Sequence, residues 1–264
     1  MPAHLSAPPP RWFTSGLADL LWGSRCVGCG TPGPALCPRC PFADRPEWVD
    51  SPAHDRVLAA GTYSGALRAA ILRHKEDGVR ELAAPLGDLL GDLLGDLLAD
   101  GLQHVMGRVE APFETPSVRA VTLLVPVPSR AAAVRARGDD PWRRVTVRAV
   151  RALRSRGVEA RLAPVLRMRS GVVDQAGLGP VERRRNLSGA MSVASSRLGR
   201  LAGRPARVVL CDDVLTTGAT LAEGVRALSA VGMRPHLCVA LARVAGRDGD
   251  ARRPDFFHAC GPVP

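Results

Sequence analysis

The chain has 264 residues, 46% of them apolar and 23% charged, and this composition argues against a disordered protein. Its length suits one large domain, or a medium domain with a small appendage. No stretch approaches the roughly 20 apolar residues of a membrane span, and residues 1–13 lack the pattern of a secretion signal. We therefore expect a cytoplasmic protein without membrane insertion.

The basic residues are concentrated in one part of the chain. The formal net charge is +11, and residues 130–207 contain 19 Arg against 5 acidic residues. Such a concentration points to a polyanionic partner, either a nucleic acid or a phosphorylated small molecule. Because 35 of the 36 basic residues are Arg, we interpret most of them as solvated surface side chains.

The N-terminal region is predicted to contain a metal-binding module. Residues 1–11 are Pro-rich and predicted to be a disordered tail, and residues 12–45 combine a helix at 12–23 with four cysteines. Cys26, Cys29, Cys37 and Cys40 have the spacing Cys-x2-Cys-x7-Cys-x2-Cys. This spacing is typical of a structural zinc site with a closed shell, and an iron–sulfur site is the minor alternative. Residues 46–56 contain two prolines and several charges and are predicted to be a linker.

Residues 57–245 are predicted to form the main domain, which begins with a strand and two helices. The strand and its turn occupy residues 57–65, and the first helix occupies 66–78. Residues 87–98 are three copies of GDLL, whose leucines have helical spacing. Gly87, Gly91 and Gly95 each weaken this helix by about 1 kcal/mol relative to Ala. We interpret the repeat as a local duplication on a helix surface.

From residue 118 onward, the pattern changes to alternating strands and helices. The predicted strands are 120–128, 160–168, 207–213 and 235–244, and the predicted helices are 141–157 and 219–232. The polar segment 171–189 is predicted to be a mobile loop, and residues 246–264 a loose tail. Near-continuous apolar strands joined by helices predict an α/β fold with a parallel sheet covered on both faces.

Residues 208–220, VVLCDDVLTTGAT, carry the most informative pattern in the chain. An apolar strand leads into Asp212 and Asp213, and a Thr-rich turn then opens directly into a helix. Backbone N–H groups at a helix start bind phosphate, and Gly218 lets the backbone approach closely. Two adjacent carboxylates can accept hydrogen bonds from sugar hydroxyls or hold Mg²⁺ through water. The pattern therefore predicts a sugar-phosphate site at the carboxyl end of the sheet.

This segment closely resembles the phosphoribosyl-pyrophosphate motif of the type I phosphoribosyltransferases, with the acidic pair and TTGAT in register. Together with the cysteine knuckle, VPVPSR, RARGDDP and DQAGLGPVERRRNLSGA, it makes the chain resemble the ComF family over roughly residues 17–245. Members of that family are phosphoribosyltransferase-like proteins associated with DNA-uptake competence. The resemblance implies a type I phosphoribosyltransferase fold, a parallel sheet flanked by helices, with a small N-terminal zinc-ribbon-like module.

The resemblance also implies roles for individual residues. Asp212 and Asp213 would be the catalytic pair, facing the ribose hydroxyls of a donor that carries Mg²⁺. The implied substrate-binding residues are Thr216, Thr217, Gly218, Ala219 and Thr220 around the 5-phosphate, Ser129 and Arg130 at the pyrophosphate, Arg137 in the next block, and Gln175, Arg183 and Asn186 in a closing loop. Lys75, the only lysine, is either a phosphate-binding cation or a surface side chain.

At one block the chain departs from the family pattern. It reads Asp139-Asp140-Pro141 where an aromatic residue followed by Asn-Gln is common in the family. Any acceptor pocket that those residues form elsewhere is therefore in doubt here.

Two functions from different classes remain open. In the first, an enzyme transfers the phosphoribosyl group from 5-phosphoribosyl 1-pyrophosphate to an unknown acceptor, mainly through electrostatic stabilisation of the departing pyrophosphate. In the second, a catalytically silent competence factor binds single-stranded DNA or a helicase partner through its Arg-rich surface. Aromatic residues make up only 4% of the chain, which works against base stacking and so against the second function.

Overall fold

The computed structural model describes residues 24–40, 42–51, 54–99, 120–129, 138–169, 189–194 and 205–245, together with Val134 and Ser196. The predicted tails at 1–11 and 246–264, the predicted helix at 12–23 and nearly all of the predicted loop at 171–189 lie outside these residues.

The described elements alternate in the order expected for an α/β protein. The strands are β1 (Glu47–Ser51), β2 (His54–Ala59), β3 (Val121–Pro126), β4 (Ala160–Leu162), β5 (Leu166–Met168), β6 (Met191–Val193), β7 (Ala206–Leu215) and β8 (Leu237–Arg243). The helices are α1 (Gly65–Lys75), α2 (Ala83–Ala99), α3 (Pro141–Ser155) and α4 (Ala219–Ser229), and a 3-10 turn (Arg80–Leu82) precedes α2. Within the described ranges, no helix combines the length and apolar character needed to cross a bilayer.

Six strands form one sheet in the order β1-β2-β8-β7-β3-β4. The strands from β2 to β4 in this order run parallel, and β1 pairs antiparallel with β2 at the edge. β3 is buried along its whole length, as its uninterrupted apolar sequence requires in a sheet covered on both faces. The prediction of a mostly parallel α/β sheet is confirmed. β5 and β6 form a separate antiparallel pair.

Two hydrophobic clusters cover the two faces of the sheet. One cluster joins α1, α2, α3 and the cysteine-bearing segment, and includes the buried Leu67, Leu90 and Leu153. The other joins α4 to β5 and β6, and includes the buried Leu221 and Met191. The cysteine-bearing segment is thus packed onto the same face as α1.

The chain leaves β3 and β7 in opposite directions. After β3 it crosses through α3 to β4, towards one edge of the sheet, and after β7 it crosses through α4 to β8, towards the other edge. This divergence opens a crevice outside the carboxyl ends of β3 and β7. Ligands of open parallel sheets bind at such a switch point.

The GDLL repeat is part of a helix interface, so its interpretation as a drifting surface duplication is wrong. All three repeat glycines are buried, and a Cβ atom on Gly91 would lie 2.5 Å from Cβ of Ala152 in α3. A Cβ atom on Gly87 would lie 2.7 Å from the carbonyl oxygen of Val145. The glycines let α2 and α3 approach more closely than any side chain would permit.

Three local predictions differ from the structure. Most of residues 46–56, predicted to be a linker, lie in the β1–β2 hairpin, where Trp48 and Val49 are half-buried. The single strand predicted at 160–168 is two strands in two sheets, β4 and β5. β7 extends through the acidic pair to Leu215, because Asp212 and Val214 continue the pairing with β8.

Candidate functional site

The carboxyl ends of β3 and β7 meet at one point of the crevice. Pro126 pairs with Cys211, and the backbone N–H of Val127 donates to the carbonyl oxygen of Cys211 at 2.9 Å. The acidic pair follows Cys211 directly, and Ser129 lies two residues beyond Val127. The crevice therefore brings together two segments that are far apart in sequence, as the sequence predicted.

The two aspartates have different environments. Asp212 is 8% exposed, and its Oδ1 accepts a hydrogen bond from the backbone N–H of Asp213 at 2.9 Å. Burial, and secondarily the neighbouring carboxylate of Asp213, raise the pKa of Asp212 to about 8. Asp213 is more exposed, and its Oδ1 accepts from the N–H of Val214 at 2.8 Å. Burial therefore favours the neutral form of Asp212.

Lys75 forms an ion pair with Asp213, the less buried of the two aspartates. Its Nζ donates to Oδ2 of Asp213 at 2.5 Å, from the last residue of α1. Burial opposes the charge on Lys75, but the carboxylates of Asp213 and Asp212 outweigh it and raise the pKa of the ammonium. Of the two interpretations left open for this lysine, the structure therefore favours a residue of the site over a surface side chain.

His74, the residue before Lys75, fixes the end of α1. Its Nδ1 lies 2.9 Å from the carbonyl oxygen of Val79, and its Nε2 lies 3.0 Å from that of Pro141 in α3. The side chain is 3% exposed. His74 thus ties the end of α1 to the start of α3.

The start of α3 is held by Asp140, which directly precedes the helix. Oδ1 of Asp140 accepts from the N–H groups of Trp142 (3.1 Å) and Arg143 (3.3 Å), which caps the helix, and Pro141 occupies the first turn. The same Oδ1 accepts from Oγ of Ser129 at 2.7 Å. Asp140 therefore holds the segment after β3 against α3.

Trp142 connects this corner to β7. Its Nε1 donates to the carbonyl oxygen of Cys211 at 3.1 Å, one residue before the acidic pair. Sequence reasoning missed Asp140, Trp142 and His74 as parts of the site. The Asp-Pro pair could have revealed Asp140, since it is a common start of a helix.

The Thr-rich turn forms the start of α4, as predicted. Gly218 has a φ of 72°, a left-handed conformation that favours glycine, and it is the N-cap of the helix. Ala219 and Thr220 begin the helix, so their N–H groups belong to its open first turn. No acidic side chain lies in that turn. The arrangement suits an anion.

Two spaces border the site. A cavity of about 20 Å³, the size of a single water molecule, is lined in part by Lys75, Asp213 and Ser129. An open groove of about 880 Å³ lies beyond the ends of β3 and β4 and is lined in part by Asp139 and Asp140. Oδ2 of Asp139 lies 2.6 Å from Nε of Arg144 in an ion pair, so Asp139 is part of the wall of the groove.

The four cysteines form a compact sulfur cluster at a distance in sequence from this crevice. Their sulfur atoms all lie within 4.8 Å of one another. The separations Cys26–Cys40 and Cys29–Cys37 are 3.6 Å, and Cys37–Cys40 is 3.5 Å. Four sulfurs placed tetrahedrally at about 2.3 Å from a metal are about 3.8 Å apart, whereas a disulfide needs about 2 Å. The cluster therefore fits a metal, and the prediction of a four-cysteine metal site is supported.

The cluster also has the electrostatics of a metal site. Hydrogen bonds from the side chain and backbone of Thr31 lower the pKa of Cys29 to about 6, which favours its thiolate. The neighbouring sulfur of Cys37 and burial raise the pKa of Cys40. Without a metal, a negative charge on Cys40 is thus disfavoured by the sulfur beside it. A bound dication would offset this effect and favour the thiolates.

The described residues include most of the predicted site. Asp213, Lys75 and Ser129 line one cavity, Asp212 precedes Asp213 in β7, and the turn from Thr216 to Thr220 follows the acidic pair after two intervening residues. Arg130, Arg137, Gln175, Arg183 and Asn186 lie outside the described residues. Their predicted roles stay predictions.

Comparison with known proteins adds little. No family model and no curated protein matches the chain. A solved structure of a glutamine mutant, from an analysis of an invariant aspartic acid in HPRTs, is similar to it at 16% sequence identity and a TM-score of 0.31. The similarity covers 65% of this chain and 75% of that phosphoribosyltransferase. A TM-score this low supports no conclusion about this chain.

Proposed function

We propose that the chain is a phosphoribosyltransferase-like protein that binds 5-phosphoribosyl 1-pyrophosphate at the crevice and transfers its phosphoribosyl group to an acceptor. The observation that carries the proposal is the position of the acidic pair. Asp212 and Asp213 lie at the switch point of the sheet, three residues before a turn that opens the N-terminus of α4. A site with hydrogen-bond acceptors for sugar hydroxyls next to an anion-binding helix start suits a sugar phosphate.

Each part of the donor has a counterpart in the crevice. The ribose hydroxyls would lie against Asp212 and Asp213, and the N–H groups of the first turn of α4 would bind the 5-phosphate. The pyrophosphate would extend towards Ser129, after β3. Because pyrophosphate leaves with its charge while the ribose carbon becomes positive, donors and cations on the pyrophosphate side favour the transition state.

The pyrophosphate of the donor is a better binding site for Mg²⁺ than the two aspartates. Carboxylate oxygens are ligands that Mg²⁺ accepts, but in the free protein Lys75 occupies Asp213, and burial favours the neutral form of Asp212. We therefore infer that Mg²⁺ enters with the pyrophosphate and neutralises its charge there. The aspartates of this chain then serve the ribose hydroxyls.

The four-cysteine cluster is proposed to hold a structural zinc ion. All four sulfurs are used in a tetrahedral shell, which leaves no position for a substrate. Cys26 and Leu36 belong to the same hydrophobic cluster as α1, so the metal would stabilise a segment packed on the main domain.

The function is tested by calorimetric binding of phosphoribosyl pyrophosphate with Mg²⁺. We expect the double variant D212N/D213N to bind about 100-fold more weakly, because two hydrogen bonds to acidic groups are lost or weakened. The control is D77N, which changes an exposed carboxylate that pairs with Arg73. Undiminished binding by the double variant would contradict the site. Transfer itself is tested by pyrophosphate release with nucleobases, amines and ammonia as acceptors.

A second candidate function is binding of single-stranded DNA or of a helicase partner. A groove of about 430 Å³ favours it, and its lining includes Arg80, Arg143, Arg144, Arg148 and Arg151. Arg144 and Arg148 pair with Asp139 and Asp88. The other three arginines are exposed along the groove.

The salt dependence of oligonucleotide binding tests this second function. Affinity for DNA falls as salt rises, so a plot of log affinity against log salt has a negative slope. If the exposed groove arginines contact phosphates, the variant R80Q/R143Q/R151Q should make this slope less steep by about 2. The matched control R39Q/R73Q/R234Q removes the same charge from exposed sites elsewhere. Equal slopes in the two triple variants would exclude a specific groove.

A further inference from the structure

We propose that Lys75 is a partner-exchanging cation, which binds Asp213 in the free protein and moves to the pyrophosphate when the donor enters. The inference rests on the proposed function and deepens it. It gives Lys75 a specific role in donor binding, the step in which the empty crevice becomes occupied.

The free state is defined by the contact between Lys75 and Asp213. Among the described residues, Lys75 supplies the only basic group within ion-pair distance of Asp213, with Nζ 2.5 Å from Oδ2. As long as this contact holds, that carboxylate oxygen is occupied by the ammonium. A ribose hydroxyl that is to donate to the same oxygen must therefore displace Lys75.

The geometry lets the side chain move while its backbone stays in place. His74 fixes the end of α1 through the carbonyl oxygens of Val79 and Pro141. The side chain of Lys75 is 41% exposed and ends at the border of the crevice. A lysine side chain carries a compact charge on a flexible four-carbon chain, so its ammonium group can change partners without a shift of the helix.

The destination follows from the residues around the small cavity. Lys75, Asp213 and Ser129 line the same space of about 20 Å³. Ser129 follows β3, on the side of the crevice away from α4, where the pyrophosphate of the donor would lie. A multiply charged pyrophosphate competes well with one carboxylate for an ammonium. Lys75 would then stabilise the leaving group, while Asp213 becomes free for the ribose.

The composition of the chain supports the exchange. Lysine occurs once among 36 basic residues, and that position contacts the acidic pair. Arginines bind carboxylates differently in this protein: Arg148 holds both oxygens of Asp88, at 2.7 and 2.9 Å. A planar, two-pronged pair of that kind would hold Asp213 more tightly and release it less readily.

The single lysine makes the exchange directly observable. Protein labelled with ¹⁵N and ¹³C only in lysine gives one side-chain resonance by NMR, measured for wild type and D213N with and without phosphoribosyl pyrophosphate and Mg²⁺. We expect the free resonances to differ, because D213N removes the carboxylate that contacts Nζ of Lys75. At saturation, confirmed by calorimetry on the same samples, they should coincide, because Lys75 then contacts the pyrophosphate in both. Bound resonances that remain as different as the free ones would overturn the exchange.

Ribose 5-phosphate, which lacks pyrophosphate, identifies the destination. When it binds, the lysine resonance of the wild type should stay near its free position. A shift equal to that produced by the full donor would overturn the assignment to pyrophosphate.

A second variant covers the case in which D213N does not fold. We expect K75R to bind the donor at least tenfold more weakly at an unchanged melting temperature, whereas R73Q, on the exposed side of the same helix, binds as the wild type does. Normal donor binding by K75R would overturn the exchange. Absence of donor binding by the wild type would overturn the proposed function, and binding with an unmoved lysine resonance would overturn only the exchange.

Discussion

Two regions of this protein differ in how their acidic residues pair with basic ones. In the α2–α3 interface each GDLL repeat supplies one aspartate, and these pair with two arginines of the α3 segment. At the crevice Asp213 pairs with the only lysine, next to the buried Asp212. At the interface Arg148 holds both oxygens of Asp88, whereas at the crevice one compact cation contacts a single oxygen of Asp213. Under the proposed function, the first kind of pair serves stability and the second serves donor binding.

The α2–α3 interface and the crevice also differ in how tightly their residues pack. At the interface, Gly91 faces Ala152 closely enough to exclude even a methyl group. At the crevice, a small cavity is lined in part by Lys75, Asp213 and Ser129. A tightly packed surface resists rearrangement, whereas side chains that border an open space can change partners.

The largest effect is expected from closing the gap between α2 and α3. G91A should lower the free energy of unfolding by about 2–3 kcal/mol, because the added methyl meets Ala152 and the backbone of Ala149. G95A is the matched control, since its methyl would meet only the movable side chain of Arg156. Denaturant unfolding measures both variants. Intrinsic helix propensity predicts the opposite sign, a gain of about 1 kcal/mol, and such a gain for G91A would refute the close approach.

A smaller effect is expected from exchanging the two basic residue types. R148K should lower the free energy of unfolding by about 1 kcal/mol, because lysine cannot reproduce both contacts to Asp88. Donor binding should be unchanged. K75R should do the reverse, weakening donor binding while the free energy of unfolding stays within about 0.5 kcal/mol. If both variants changed stability and binding together, the distinction between the two regions would be lost.

A gradual effect, spread over several pH units, is expected in the pH dependence of stability. The pKa of Asp212 is about 8 in the folded protein and about 4 in an unfolded chain. Between these values the folded state binds the extra proton, so the free energy of unfolding should fall as pH rises, by up to about 1.4 kcal/mol per pH unit. D212N should flatten the profile measured by urea unfolding from pH 5 to pH 7. Control D96N changes an exposed carboxylate, and equal slopes for wild type and D212N would argue against the buried acid.

Much of the fold and part of the site could be predicted from local sequence. The apolar strands around Asp212 and the left-handed Gly218 depend on short-range preferences, so the strand-turn-helix was predicted correctly. The four cysteines were equally clear, because their spacing alone suits a metal. The contact of Lys75 with Asp213 spans 138 residues and was left open.

The features that were missed depend on tertiary partners. The same Gly-x-x-x-Gly period suits a weakened surface helix or a close helix crossing, and only the small side chain of Ala152 distinguishes them. Trp48 and Val49 lie between prolines, which favours a linker locally, yet their pairing with β2 makes them an edge strand. From the sequence, Asp140 only put an acceptor pocket in doubt. In the structure it caps α3 and accepts a hydrogen bond from Ser129.

Hydrogen–deuterium exchange with and without phosphoribosyl pyrophosphate and Mg²⁺ tests the central claim most directly. The ligand should slow exchange in residues 212–221 and next to Ser129, where the crevice lies, and should leave α2 and the middle of α3 unchanged. Protection confined to α2, α3 and the groove lined by Arg143 and Arg151, with none at 212–221, would contradict it.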